Sequence, residues 1–62
     1  MKLKYERENG VRVHYTEDKN YKIVPDPSGF SWYRKEEGNY KRFGYSSTLY
    51  EAKEYLSRIY NR

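Results

Sequence analysis

Two short runs, Tyr33-Arg34-Lys35 and Tyr40-Lys41-Arg42, concentrate positive charge and phenol chemistry in one stretch of the chain. Arginine and lysine contact phosphates, arginine reads guanine, and tyrosine stacks on bases or donates to phosphate oxygens. The same residue types also build solvated sheet faces, so the side on which each one stands decides between the two readings. Reaction chemistry is poorly provided for. His14 is the single histidine, cysteine is absent, and no serine stands in a nucleophile-elbow pattern. The pairs Glu17-Asp18 and Glu36-Glu37 fall in polar connections, where adjacent carboxylates rarely hold the geometry of an acid/base pair or a hard-metal site. Gly10, Gly29, Gly38 and Gly44 are isolated and do not form a phosphate-cradling loop. The expectation is a binding protein and not an enzyme, with no cofactor, no metal and no small-molecule substrate.

Positioning these runs falls to a succession of short strands. Leu3–Arg7 and Val11–Tyr15 flank Glu8-Asn9-Gly10, and Asn-Gly is a strong hairpin signal. A two-residue turn would pair Tyr5 with His14 and split the apolar residues between faces. A three-residue loop pairs Arg7 with Val11, Tyr5 with Val13 and Leu3 with Tyr15, gathering Leu3, Tyr5, Val11, Val13 and Tyr15 on one face. The second register is expected. Thr16–Asn20 reads as a connection, Tyr21–Val24 as a strand stopped by Pro25, and Pro25–Gly29 as a turn. A second hairpin joins Phe30–Lys35 to Tyr40–Tyr45 through Glu36–Asn39. With Lys35 opposite Tyr40, Trp32 opposite Phe43 and Phe30 opposite Tyr45, the large rings share one face. Ser31, Tyr33, Lys35, Tyr40 and Arg42 take the other, with Arg34 and Lys41 at the sheet's edge near the loop.

Thr48-Leu49-Tyr50-Glu51 has capping-box spacing, which predicts a helix from Leu49. Leu49, Ala52, Leu56 and Ile59 form its apolar stripe, with Tyr55 and Tyr60 beside it. Glu54 and Arg58 stand four apart in the favourable order, and Asn61 is the expected end cap. The fold expected is therefore α+β: a small twisted antiparallel sheet, made of two hairpins plus a short strand, packed on one C-terminal helix. Its core would comprise Ile23, Phe30, Trp32, Phe43, Leu49, Ala52, Leu56 and Ile59, joined by the apolar face of the first hairpin. One helix covers one side of a sheet and leaves the other open.

With 62 residues the chain makes one domain, residues 1–62, that hides only about 60% of its unfolded surface. Without cysteine, neither disulfides nor thiolate zinc can staple it. Residues 1–7 alternate charged and apolar types and lack the run of a signal peptide or membrane span, so a cytoplasmic protein without a membrane partner is expected. A formal charge of +4 favours phosphate-rich or acidic partners, although a small domain also needs net charge for solubility. Nine tyrosines suit half-exposed sheet positions and binding surfaces equally.

Residues 30–59 carry the order Gly29-Phe30-Ser31-Trp32-Tyr33-Arg34, a polar turn, Lys41-Arg42-Phe43-Gly44-Tyr45, then Thr48-Leu49-Tyr50-Glu51-Ala52-Lys53 and Tyr55-Leu56. This resembles the arm-type, AP2-like DNA-binding domain of phage and transposon tyrosine integrases, in which a three-stranded sheet packs on a C-terminal helix and enters the major groove. The resemblance implies that Trp32 and Phe43 are core and that Tyr33, Arg34, Lys35, Tyr40, Lys41 and Arg42 face double-stranded DNA. A free-standing domain of this kind is also similar to small orphan proteins of phages and mobile elements, some of which are DNA-binding accessory factors while others block host nucleases, as anti-CRISPR inhibitors do. The expected partner is double-stranded DNA, with a host nuclease or another protein as the alternative. Self-association through a bare strand edge is a third reading.

Overall fold

The computed structural model describes residues 2–60. Five strands, β1 (Leu3–Glu8), β2 (Val11–Thr16), β3 (Tyr21–Asp26), β4 (Gly29–Glu36) and β5 (Asn39–Ser46), precede one helix, α1 (Leu49–Tyr60). Each strand pairs antiparallel with its sequence neighbours in a single sheet ordered β1-β2-β3-β4-β5. The expected small α+β architecture is what forms.

The hairpins are tighter than the sequence suggested. Asn9 and Gly10 have φ of 55° and 78°, the paired positive values of a two-residue turn whose twist matches that of the flanking strands. Glu8 therefore opposes Val11, Tyr5 opposes His14 and Leu3 opposes Thr16, which overturns the three-residue loop. The apolar residues of this hairpin are split between faces. Leu3 joins the core under the helix, Tyr5 and Val11 are exposed, and Val13 and Tyr15 are buried at 3% and 8% exposure on the side away from the helix. On that face Tyr15 is flanked by the Tyr40 ring and the Lys19 side chain, which lie against it. The second hairpin also closes through two residues, Glu37 and Gly38, with φ of 50° and 83°, so Glu36 and Asn39 pair instead of forming loop.

Strand β3 runs through Pro25 to Asp26 and does not stop at Val24. The β2 ladder has ended at Ile23, so Pro25 has only β4 as a partner, where it opposes Phe30. This is the edge-like setting in which a missing N–H is tolerated. Pro27 and Ser28 make the turn, and Asp26 Oδ1 accepts from the Ser28 amide at 3.0 Å.

A β-bulge lies between Trp32 and Tyr33. Tyr33 opposes Arg42 and Lys35 opposes Tyr40 as expected, but Trp32 opposes Gly44 and Phe30 opposes Ser46. Phe43, the extra residue, stays on the helix side at 5.5 Å from Trp32 between ring centroids. It is 40% exposed, so it rims the core and does not fill it. Tyr45 moves to the opposite face beside Ser31, where its hydroxyl donates to the Ser28 carbonyl.

The buried centre is Ile23, Trp32, Ala52 and Leu56, flanked by half-buried Leu3, Tyr21, Phe30, Leu49 and Ile59. The helical stripe is the one that its 3.6-residue spacing implied. Its start is fixed by Thr48, whose Oγ1 accepts from the Glu51 amide at 3.2 Å and donates to the Glu51 carboxylate at 3.1 Å. Glu54 and Arg58 form no ion pair among the described residues, and the end cap expected at Asn61 lies outside them. At the far end, Tyr60 packs edge-on to Tyr21 at 5.7 Å and donates to Asp18 at 3.0 Å.

Trp32 is stacked on Tyr55 at 4.1 Å and 19°, with its other side against the backbone of Gly44. A Cβ at position 44 would stand 2.0 Å from the indole. Gly44→Ala is expected to displace Trp32 and to lower stability by about 1–3 kcal/mol, the usual penalty of overpacking. Urea melts of the two proteins followed by tryptophan fluorescence measure it, and equal midpoints would refute the close approach.

Asp18 accepts from the Asn20 amide at 3.0 Å, the Thr16 hydroxyl at 2.8 Å and Tyr60. These bonds, the Asn20 amide foremost, hold its carboxyl below the ordinary value of 3.8. A depressed folded-state pKa stabilises the fold above the unfolded-state value and ceases to do so as pH falls through the folded one. The Tm advantage of the native protein over Asp18→Asn is therefore expected to be full at pH 6 and to shrink as pH falls below about 4. An advantage that is constant from pH 6 to pH 2 would contradict this.

Candidate nucleic-acid interface

The register assembles one line of side chains across the face away from the helix. Lys4 opposes Tyr15, Tyr15 opposes Lys22, Lys22 opposes Tyr33, and Tyr33 opposes Arg42. Cations and phenols thus alternate over all five strands. At ~4.8 Å per strand the row spans roughly 19 Å, with Lys4 and Arg42 at its ends and Lys22 at its centre. The pair Lys35 and Tyr40 lies alongside on the same face.

The phenols of this row are engaged within the protein. Lys22 Nζ lies 4.2 Å from the Tyr40 ring centre and 5.3 Å from that of Tyr33, an arrangement worth about 0.5–1 kcal/mol where exposed. Tyr40 donates to the Lys19 carbonyl at 2.6 Å. Tyr15, edge-on to Tyr40 at 6.4 Å, donates to the Glu8 carboxylate. That bond and burial push its phenol well above the ordinary value of 10.0, so it remains neutral. Lys19 closes the margin by pairing with Glu6 at 2.9 Å.

Lys4, Lys22, Lys35 and Arg42 have no carboxylate partner among the described residues. Arg34 and Lys41 differ. They oppose each other on the helix side of the sheet, in line with Tyr21 and beyond the helix, and both face Glu36. Arg34 Nε donates to Glu36 at 3.1 Å, and Lys41 Nζ is 3.8 Å from the same carboxylate. Arg34 holds the Glu36 carboxyl below its usual range.

Of the six residues singled out in the sequence, the structure thus brings Tyr33, Lys35, Tyr40 and Arg42 together on one face and sets Arg34 and Lys41 on the other. Lys4, Tyr15 and Lys22 belong to the same row, Tyr15 standing there and not on a shared apolar face with Leu3 and Tyr5. Their signal was available only through the cross-strand register. His14 is half-buried on the helix side, and burial, then Lys53 and Arg12, lower its pKa.

Among the described residues no three His, Cys, Asp or Glu side chains stand in a metal-holding group. No helix among the described residues is long and apolar enough to cross a membrane. A groove of about 470 Å³ lies between β5 and α1, lined among others by Trp32, Tyr50, Tyr55, Glu54 and Arg58. Comparison with known proteins adds no relative: no family model, no curated protein and no solved structure matches this chain.

Proposed function

We propose that this chain is a non-catalytic protein that binds double-stranded DNA through the row Lys4-Tyr15-Lys22-Tyr33-Arg42, with Lys35 and Tyr40 beside it. The observation that carries the reading is that its cations form no ion pair with a carboxylate among the described residues and stand in line on a face that the helix leaves uncovered. A major groove is about 12 Å wide and admits a two-stranded ribbon, so a five-stranded sheet lies across it instead of inside it. The ends of the row then reach the phosphates on either side. Duplex is favoured over single strands because the rings of Tyr33 and Tyr40 already hold Lys22 and are not bare stacking platforms. The likeness of residues 30–59 to the arm-type integrase domain rests on sequence alone and points to the same partner and to Tyr33, Lys35, Tyr40 and Arg42, but not to this placing of Arg34 and Lys41.

Electrophoretic shifts with random duplex at several salt concentrations test this. Contacts from the four cations give a slope of log K against log[salt] near −3.6, and Lys22→Ala or Lys4→Ala reduces its size by about 0.9. Lys41→Ala, on the other face, changes affinity little. Equal losses from Lys41→Ala and Lys22→Ala would refute the assignment of the face, and absence of any shift would refute DNA binding.

A second reading, an inhibitor-like protein that docks on a host nuclease or other protein, is favoured by a different surface. Phe43, Tyr50 and Tyr55 are 40%, 72% and 42% exposed beside the β5–α1 groove, and exposed aromatics are common interface anchors. Under this reading, duplex is not shifted, and capture of a specific protein is lost in Tyr50→Ala/Tyr55→Ala but kept in Lys22→Ala. Capture that survives the double substitution would remove it.

A further inference from the structure

Arg42 is the one cation of the row whose side chain is held by a chain of hydrogen bonds. Its Nε donates to Ser31 Oγ at 3.1 Å, and Ser31 Oγ donates to Asp26 Oδ2 at 2.7 Å. The polarity of this relay is forced. An ionised carboxylate only accepts, and a hydroxyl has one proton, so the proton of Ser31 goes to Asp26 and a lone pair remains for Arg42. Ser31 is 4% exposed. Asp26 is itself fixed by the Ser28 amide and hydroxyl at 3.0 and 3.2 Å, and these bonds, with that of Ser31 first, keep its carboxyl below the ordinary range. With Nε occupied, the guanidinium plane is set while the four N–H groups of its terminal nitrogens remain for a ligand. Lys22, by contrast, presents a point charge resting on aromatic rings.

We propose that Asp26, Ser31 and Arg42 form a preassembled clamp for a single phosphodiester of duplex DNA. Arg42 grips it with both terminal nitrogens, and Ser31 and Asp26 act as positioning residues. The inference rests on the DNA-binding reading and deepens it. A fork held before binding loses less rotamer freedom on contact than a mobile one and matches two phosphate oxygens at once. Guanidinium shape therefore matters here, beyond its charge.

A double-substitution cycle on the full chain tests the clamp. Ser31→Ala is expected to weaken binding to random duplex about three- to tenfold, the worth of one hydrogen bond. The salt slope should stay unchanged, because no charge is lost. Arg42→Lys likewise keeps the slope and loses about tenfold, since lysine cannot fork. In the Arg42→Lys background, Ser31→Ala should cost less than about twofold, because nothing is left to position. Thermal melts accompany every variant. Should Ser31→Ala prove unfolded, Ser31→Cys, whose thiol is a weak acceptor and leaves the charge unchanged, takes its place with the same expected pattern. Equal losses from Ser31→Ala in both backgrounds, or none in either, would overturn the clamp while leaving DNA binding intact. Losses confined to duplexes of one sequence would overturn it in favour of guanine reading. Failure of the native chain to shift duplex would overturn the DNA reading and the clamp together, whereas displacement by millimolar inorganic phosphate at constant ionic strength would reassign the clamp to free anions.

Discussion

Trp32 lies against β5 only because Gly44 stands opposite it without a side chain, and it is Phe43, bulged out of the ladder, that brings Gly44 there. The indole is thereby layered between backbone on one side and the Tyr55 ring on the other, which lets α1 approach the sheet closely enough to bury Ala52 and Leu56 completely. The same bulge governs the far side. A strand's side chains alternate, so a one-residue shift exchanges its two faces. If the pairing of Trp32 with Gly44 continued without interruption, Arg42 would oppose Arg34 on the helix side and Phe43 would stand on the uncovered face. The extra residue restores Arg42 to the partner of Tyr33. One irregularity therefore puts the core and the cationic row in phase.

The cost of this arrangement falls on Trp32, whose indole N–H is buried without an acceptor among the described residues. An unmade bond of that kind opposes folding by about 1–3 kcal/mol. The stacking with Tyr55 and the edge contact with Phe43 at 5.5 Å offset it, as aromatic pairs each add about 0.5–1.5 kcal/mol beyond area burial. A chain this short has few large side chains to spend on a single core, and it gains further burial by using both faces. Val13 and Tyr15 are covered on the side away from the helix while Ile23 and Leu56 are covered beneath it.

That division explains what could be read from the sequence. The helix was legible to the residue at its start, because the Thr48–Glu51 box and the stripe of Leu49, Ala52, Leu56 and Ile59 are local signals. The facing of Tyr33, Lys35, Tyr40 and Arg42 was legible too, since the hairpin turn lies close enough to fix their register. The rule that apolar residues collect on one face failed for the first hairpin. It presumes a single core, and it outweighed an Asn-Gly turn that specified the register directly. The bulge was invisible for a related reason: Trp32 opposite Phe43 looks like the better pair until the thickness of the indole requires a glycine. Lys4 and Lys22 gave no sign in the linear chain because a row across strands exists only after three registers are known.

Net charge alone could not have located the surface, because the cations do three different kinds of work. Lys19, Arg34 and Lys41 meet carboxylates, and exposed pairs of this kind contribute little to stability while dissipating the field they would otherwise project. Lys41 and Arg42, together with the bulge at Phe43, also blunt the bare edge of β5 against another strand, as edge cations and bulges generally do. Among the described strand residues, Lys4, Lys22, Lys35 and Arg42 combine an uncovered face with the lack of an ion pair to a carboxylate. Their cross-strand neighbours are tyrosines in every case: Tyr15, Tyr33 and Tyr40. A phenol fills the sheet beside a cation without neutralising it, whereas a glutamate at any of those positions would. The abundance of tyrosine is thus the condition under which a small basic sheet keeps its charge available to an anion.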